Sequence, residues 1–143
     1  MIEKALHTLN LPPDAVSWLL DLWHVIQVWD DVADGDPIKR EDLDRAIFLT
    51  VAPFNPFYED NKRTLFPVLA NMVLKWKASD TIEREGLKSH LHKAYMLRAG
   101  YYDVVLQVLA IVKGEDVAMA EAHKVALLYG ETFEEYAKEF QDA

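Results

Sequence analysis

The chain has 143 residues, no cysteine and a formal net charge of -9, from 24 acidic against 15 basic side chains. That length predicts a single domain over residues 1–143 with a core of its own, and the lack of cysteine removes disulfides, thiolate metal sites and cysteine nucleophiles. The acidic balance has the wrong sign for gripping a phosphate backbone, so direct nucleic-acid binding is not expected.

Apolar residues make up 51% of the sequence, with four Trp, six Tyr and six Phe. A small domain with that aromatic load predicts apolar surface left over for a second subunit, so a homo-oligomer, a homodimer first of all, is expected. The start Met1-Ile2-Glu3-Lys4 does not follow the charged-then-apolar pattern of a signal peptide, and no uninterrupted apolar run reaches spanning length. The expectation is a soluble, cytoplasmic protein with no membrane partner.

Apolar residues recur at three- and four-residue spacing almost throughout, and strict alternation between turns is missing. The fold class is therefore all-α, a compact bundle of five or six helices. A short first helix covers 2–9 and stops at Asn10-Leu11-Pro12-Pro13. The second starts at 13 or 14 and runs to about 33. Its apolar face holds Trp18, Leu19, Leu22, Val25, Ile26, Trp29 and Ala33, and its polar stripe Ser17, Asp21, His24, Gln27, Asp31 and Asp34. Gly35 suits the left-handed position that closes it.

Asp36-Pro37 reads as a cap followed by proline in the first turn, opening a third helix to about 51. Asn55-Pro56 repeats that signal before a fourth over 57–77, with a bend or restart near Thr64 because Pro67 lacks a donor. Asp80-Thr81-Ile82-Glu83 has the form of a capping box and predicts a long helix to about 113, stopped by Gly114. A last helical region covers 115–140, with Gly130 as a point of division. Gly100 inside the long helix costs about 1 kcal/mol relative to alanine, which points to a close helix crossing.

The chemistry-bearing signal is Asp30-Asp31-Val32-Ala33-Asp34-Gly35-Asp36, four carboxylates in seven residues at a helix C-terminus. Unpaired carbonyls already make that end negative, and each acidic side chain there is disfavoured by about 0.3–1 kcal/mol. A divalent cation would relieve the repulsion. Magnesium takes oxygen ligands and commonly uses one or two carboxylates with water and substrate phosphate. Asp30, Asp31 and Asp34 are the candidate metal ligands, the i, i+4 pair Asp30 and Asp34 projecting in nearly one direction.

The five residues Asp30-Asp31-Val32-Ala33-Asp34 resemble the D-D-x-x-D signature of class I isoprenoid synthases. The resemblance implies a helix in an all-α bundle whose carboxylates hold magnesium ions for a substrate diphosphate. Glu41-Asp42-Leu43-Asp44 is similar to the acidic motifs of all-α nucleotide pyrophosphatases, which also hold magnesium between helices. Arg98, Lys39 and Arg40 are the candidates to meet the phosphate groups.

Two readings follow. In one, the protein binds or turns over a diphosphate-bearing small molecule with magnesium as cofactor. In the other it is a non-enzymatic assembly or partner-binding module whose apolar stripes mediate association. Histidines at 7, 24, 90, 92 and 123 form no Glu-x-x-His unit, and His24 reads as a polar-stripe residue. The four tryptophans read as core and interface anchors.

Overall fold

A computed structural model describes residues 1–86 and 88–140. Among these the secondary structure is helical throughout, and the fold is all-α. Eight α-helices are present: α1 (Ile2–His7), α2 (Pro13–Asp34), α3 (Arg40–Val51), α4 (Pro56–Arg84), α5 (Leu91–Leu97), α6 (Gly100–Lys113), α7 (Glu115–Ala126) and α8 (Phe133–Lys138), with a 3-10 turn at Lys88–His90 before α5. The chain forms two compact units, Met1–Lys62 and Arg63–Ala143, and the division falls inside α4.

In the first unit α2 is the organising helix, packed by α1 and α3. Leu9 and Leu11 are both buried, and between them Asn10 takes a left-handed backbone (φ 54°), which asparagine tolerates better than most residues. The first half of α2 is inserted deeply, with Ala15, Val16, Trp18 and Leu19 in the core. Trp18 stacks on Tyr58 with ring centroids 5.3 Å apart and meets Phe57 at 6.4 Å. Farther along, Val28 is buried while Trp29 and Val32 stand exposed, so the apolar face read from the sequence is covered at its start and open at its end.

The polar stripe of α2 is where α3 lies. Arg45 donates to Asp21 at 3.0 Å, and the His24 ring nitrogen Nε2 is 3.1 Å from the Asp42 carbonyl. Helix α3 starts at Arg40, three residues later than the Asp36-Pro37 signal suggests. The reason is local: the Asp36 N–H is already bonded to the Asp31 carbonyl at 2.9 Å as part of the α2 stop, so this residue belongs to the turn. The second start signal does operate. Buried Asn55 accepts from the Tyr58 N–H at 3.0 Å as the N-cap of α4, and its amide donates to the Asp14 carbonyl at 3.0 Å, tying the start of α4 to the start of α2.

Helix α4 runs 29 residues without restarting, through Pro67 and through the Asp80–Glu83 sequence. Pro67 is exposed, and it removes the N–H that would pair with the Arg63 carbonyl in a regular helix. The capping box does not form: Thr81 donates to the Lys77 carbonyl of its own helix at 3.1 Å, and Glu83 is engaged elsewhere. The stop comes at Gly86, whose φ of 64° is left-handed. The single long helix expected over 80–113 is thus three segments, the end of α4, α5 and α6. Gly114 ends α6 as the sequence indicates, and the region around Gly130 separates α7 from α8.

Helix α6 is the core of the second unit, burying Gly100, Tyr101, Val104, Val105, Val108 and Leu109, and it packs against α7 through Ala118 and Val125. The stretch Lys88–Lys113 is long and apolar enough to cross a membrane by length and composition, with a mean hydropathy of 1.2. Here it is divided between the 3-10 turn, α5 and α6, and about a third of its apolar window, 33%, is buried. Gly100 marks the close crossing: a Cβ on it would sit 3.0 Å from Met72 Cγ and 3.2 Å from Met72 Cα. Beside it Lys75 of α4 pairs with Asp103 of α6, and Ser79 donates to the Ala94 carbonyl at 3.1 Å.

Because part of the obstruction at Gly100 is Met72 backbone, a branched side chain there must push the helices apart. Gly100→Val should lower unfolding free energy by about 1–3 kcal/mol, measured by denaturant midpoint at unchanged slope.

Candidate functional site

The acidic group at the end of α2 lies in the first unit. Asp30 and Asp31 are half-buried and Asp34 is exposed. The helix stop itself is well made: Gly35 (φ 74°, ψ 19°) donates to the Val32 carbonyl at 3.2 Å, and Asp36 donates to the Asp31 carbonyl at 2.9 Å. This is the Schellman arrangement, and it satisfies two of the carbonyls that make a helix end negative. It does nothing for the carboxylates. Among the described residues no cation lies within ion-pair distance of Asp30 or Asp31, and no three Asp, Glu or His side chains gather closely enough to hold a metal ion.

Of the candidate phosphate-binding residues, Lys39 is exposed at the N-cap of α3, and Arg40 is exposed and held by Asp44 at 2.8 Å, one turn along the same helix. Glu41 and Asp42 occupy the first turn of α3, where the positive helix end favours anions. Asp30 and Asp34 are one turn apart at the end of α2, with Asp31 between them in sequence.

Arg98 belongs to the second unit and to a different constellation. Its guanidinium is 3.6 Å from Glu83 Oε2 and sits 5.0 Å from the centroid of the Tyr136 ring. Tyr136, fully buried, donates its hydroxyl to the same Glu83 oxygen at 2.7 Å. Burial would discharge Arg98, but Glu83 and the neighbouring Glu131 and Glu139 hold its proton more firmly than usual. Glu83 is itself pushed above the ordinary carboxylate range: burial favours its neutral form, outweighing the Tyr136 hydrogen bond and Arg98.

Aromatic rings extend this cluster. Tyr95 stacks on Tyr129 at 4.9 Å, meets Phe133 edge-on at 5.6 Å and donates to the Glu131 carbonyl, while Tyr129 donates to the Tyr95 carbonyl at 3.3 Å. Phe140 packs on Tyr136 at 5.1 Å. Burial raises the hydroxyls of Tyr95, Tyr129 and Tyr136 above their ordinary value, so all three act as neutral donors. The sequence reading placed Arg98 with a substrate phosphate and missed Glu83 and Tyr136. The available signal was Tyr129, Phe133, Tyr136 and Phe140, an aromatic ladder at four-, three- and four-residue spacing that must face something.

Exposed large apolar side chains occur in both units, and two sets share one helix face each: Ile47, Phe48 and Val51 of α3, with Phe54 just beyond, and Phe66, Val73 and Leu74 of α4. Others are spread over Trp29 and Val32 of α2, Met96 of α5, Val117 and Met119 of α7, Leu127 just after it, and Phe133 of α8. No known protein family, curated protein or solved structure matches the chain.

The Glu83 cluster gives a signed pH prediction. Because its folded-state pKa is raised, the folded protein binds this proton more tightly than the unfolded chain, so the Glu83 contribution is complete below the unfolded pKa and is lost as pH rises through the folded one. Glu83→Gln removes that dependence and keeps an acceptor for Tyr136. The melting temperature of the parent minus that of Glu83→Gln should increase as pH falls from about 7 toward about 4. A difference that is flat, or that shrinks on acidification, contradicts the assignment.

Proposed function

We propose that this protein is a non-enzymatic assembly module that works as a homo-oligomer. The observation that carries the reading is the pair of exposed apolar faces, Ile47, Phe48 and Val51 on α3 and Phe66, Val73 and Leu74 on α4. Single exposed apolar residues need no explanation, but neighbours on one helix face form a continuous patch of the kind that marks an interaction surface. The charged residues of the second unit support the same reading: Arg98, Glu83, Lys75 and Asp103 are spent on one another. Light scattering at several concentrations should give about twice the mass of one chain in the micromolar range, as expected for a small specific interface. A single-chain mass at every concentration rejects this reading.

A second reading is favoured by one observation, the half-burial of Asp30 and Asp31 at a negative helix end with no cation beside them. Here Asp30 and Asp34 hold magnesium, Asp31 supports them, and the ion neutralises a diphosphate-bearing small molecule that Lys39 also meets. On this reading millimolar magnesium raises the melting temperature, because a ligand of the native state adds stability by mass action. Asp30→Asn combined with Asp34→Asn should abolish the rise. Equal responses from the parent and the doubly substituted protein exclude a metal site at this helix end.

A further inference from the structure

We infer that residues 131–140 are a latch that lifts off α4 and α5 as one piece while α6 stays packed, and that lifting it opens a site for a tyrosine presented on a short helix of a partner protein. This latch needs no second copy of the chain. Helix α8 has six residues, and an isolated helix needs about 12–15 to be even marginal in water, so its order comes from docking. Within 131–140 only Tyr136 is buried, whereas α6 buries six of its 14 residues. Glu131, Glu134, Glu135 and Glu139 of the segment make no ion pair among the described residues, and Glu139 adds to the field that disfavours charge on Glu83. Segments with few buried contacts open at a fraction of the global unfolding free energy.

The hinge is Gly130. Just before it, Tyr129 stacks on Tyr95 and donates to the Tyr95 carbonyl, so the chain up to that point is fastened independently of α8. Gly130 itself is exposed, with nothing within 4 Å of the place a Cβ would take. Glycine has the widest choice of backbone angles, and rotation there carries 131–140 away without disturbing Tyr129. The bonds lost are the Tyr95 hydroxyl to the Glu131 carbonyl and the contacts of Tyr136.

What holds the latch also defines what the opened site takes. The Tyr136 hydroxyl donates to Glu83 Oε2 at 2.7 Å, the Arg98 guanidinium lies 5.0 Å from its ring centroid, and the Tyr95 ring meets it at 5.6 Å. Glu83 belongs to α4, Tyr95 to α5, and Arg98 is the residue that ends α5, so all three stay behind when α8 leaves. A carboxylate acceptor beside a guanidinium that lies against an aromatic ring selects a phenol. Phenylalanine would fill the space and leave Glu83 without its donor, and a phosphotyrosine would replace that donor with anionic oxygens. Helix α8 shows the ring delivered from a short helix, and its tether gives it an effective concentration of the order of millimolar, which a partner must overcome.

Native-state hydrogen exchange on the full chain tests the latch. The amides of Glu135, Tyr136 and Glu139, bonded within the segment, should share one opening about a hundredfold or more as frequent as that of the Val108 and Leu109 amides of α6. Fluorescence polarisation with a labelled peptide of residues 131–140 tests the site. Tyr136→Ala empties the site, and this chain should bind the peptide about tenfold or more tightly than the parent does. A peptide carrying Tyr136→Phe should bind about fivefold or more weakly than the tyrosine peptide. Should Tyr136→Ala fail to fold, Thr132→Ala removes only the α8 cap and should give an about fivefold gain over the parent. Exchange in α8 that is no faster than in α6 overturns latch and site together. A cooperatively melting variant that takes the peptide no better than the parent, or takes both peptides equally, overturns the tyrosine site.

Discussion

Burial of one side of α6 is the interaction on which the second unit depends. Four of its residues, Tyr101, Val104, Val105 and Val108, lie on one side within two turns and are at most 3% exposed, and Leu109 continues the stripe. At roughly 1.5–3 kcal/mol for each large apolar side chain withdrawn from water, that stripe contributes more than the exposed ion pairs. The neighbouring helices are placed by what α6 requires. Gly100 admits Met72, and Lys75 reaches Asp103 at the rim of the same contact. Helix α7 covers the other flank. In the first unit α2 has the corresponding role, inserted most deeply in its first half, with Val28 buried farther along and Trp29 and Val32 exposed before the aspartate group at its end.

The two clusters of charge in this protein solve different electrostatic problems. Glu83 and Arg98 are partly withdrawn from water and hold one another, with the Tyr136 hydroxyl on the carboxylate and the Tyr136 ring under the guanidinium, although for Glu83 these partners offset only part of the cost of burial. Asp30 and Asp31 have a tidy backbone and no cation. The Schellman bonds of Gly35 and Asp36 answer two of the unpaired carbonyls and leave the carboxylates at a helix end that disfavours anions. A cluster with all its partners in place is a structural tie. Asp30 and Asp31, with no cation at ion-pair distance among the described residues, are the natural place to look for a ligand, which is why the aspartate motif keeps a claim beside the assembly reading.

Much of the helical order was legible in the sequence because punctuation residues act locally. Gly35, Gly114 and Asn55-Pro56 each do in the structure what their chemistry dictates. The misreadings came from signals that long-range contacts override. Asp80-Thr81-Ile82-Glu83 has the spelling of a helix start, but Glu83 gains a buried hydroxyl and a guanidinium by remaining in α4, and the stop moves to Gly86. Asp36-Pro37 lost its capping role to the preceding turn. Arg98 was visible as a candidate phosphate-binding arginine, but its partners lie 15 and 38 positions away in sequence, beyond the reach of spacing arguments. The polar stripe of α2 was read correctly as polar, though only the structure reveals that α3 occupies it.

The distribution of aromatic residues has an optical consequence. Trp18, Trp23 and Trp29 all sit on α2 in the unit Met1–Lys62, whereas Tyr95, Tyr101, Tyr102, Tyr129 and Tyr136 belong to Arg63–Ala143, which holds a single tryptophan, Trp76. Indole emission is therefore dominated by one half of the chain, and near-ultraviolet dichroism from phenol rings by the other. Spectroscopy on the unlabelled protein can follow the loss of order in each half separately, and coincident or divergent transitions would measure how strongly the two halves cooperate.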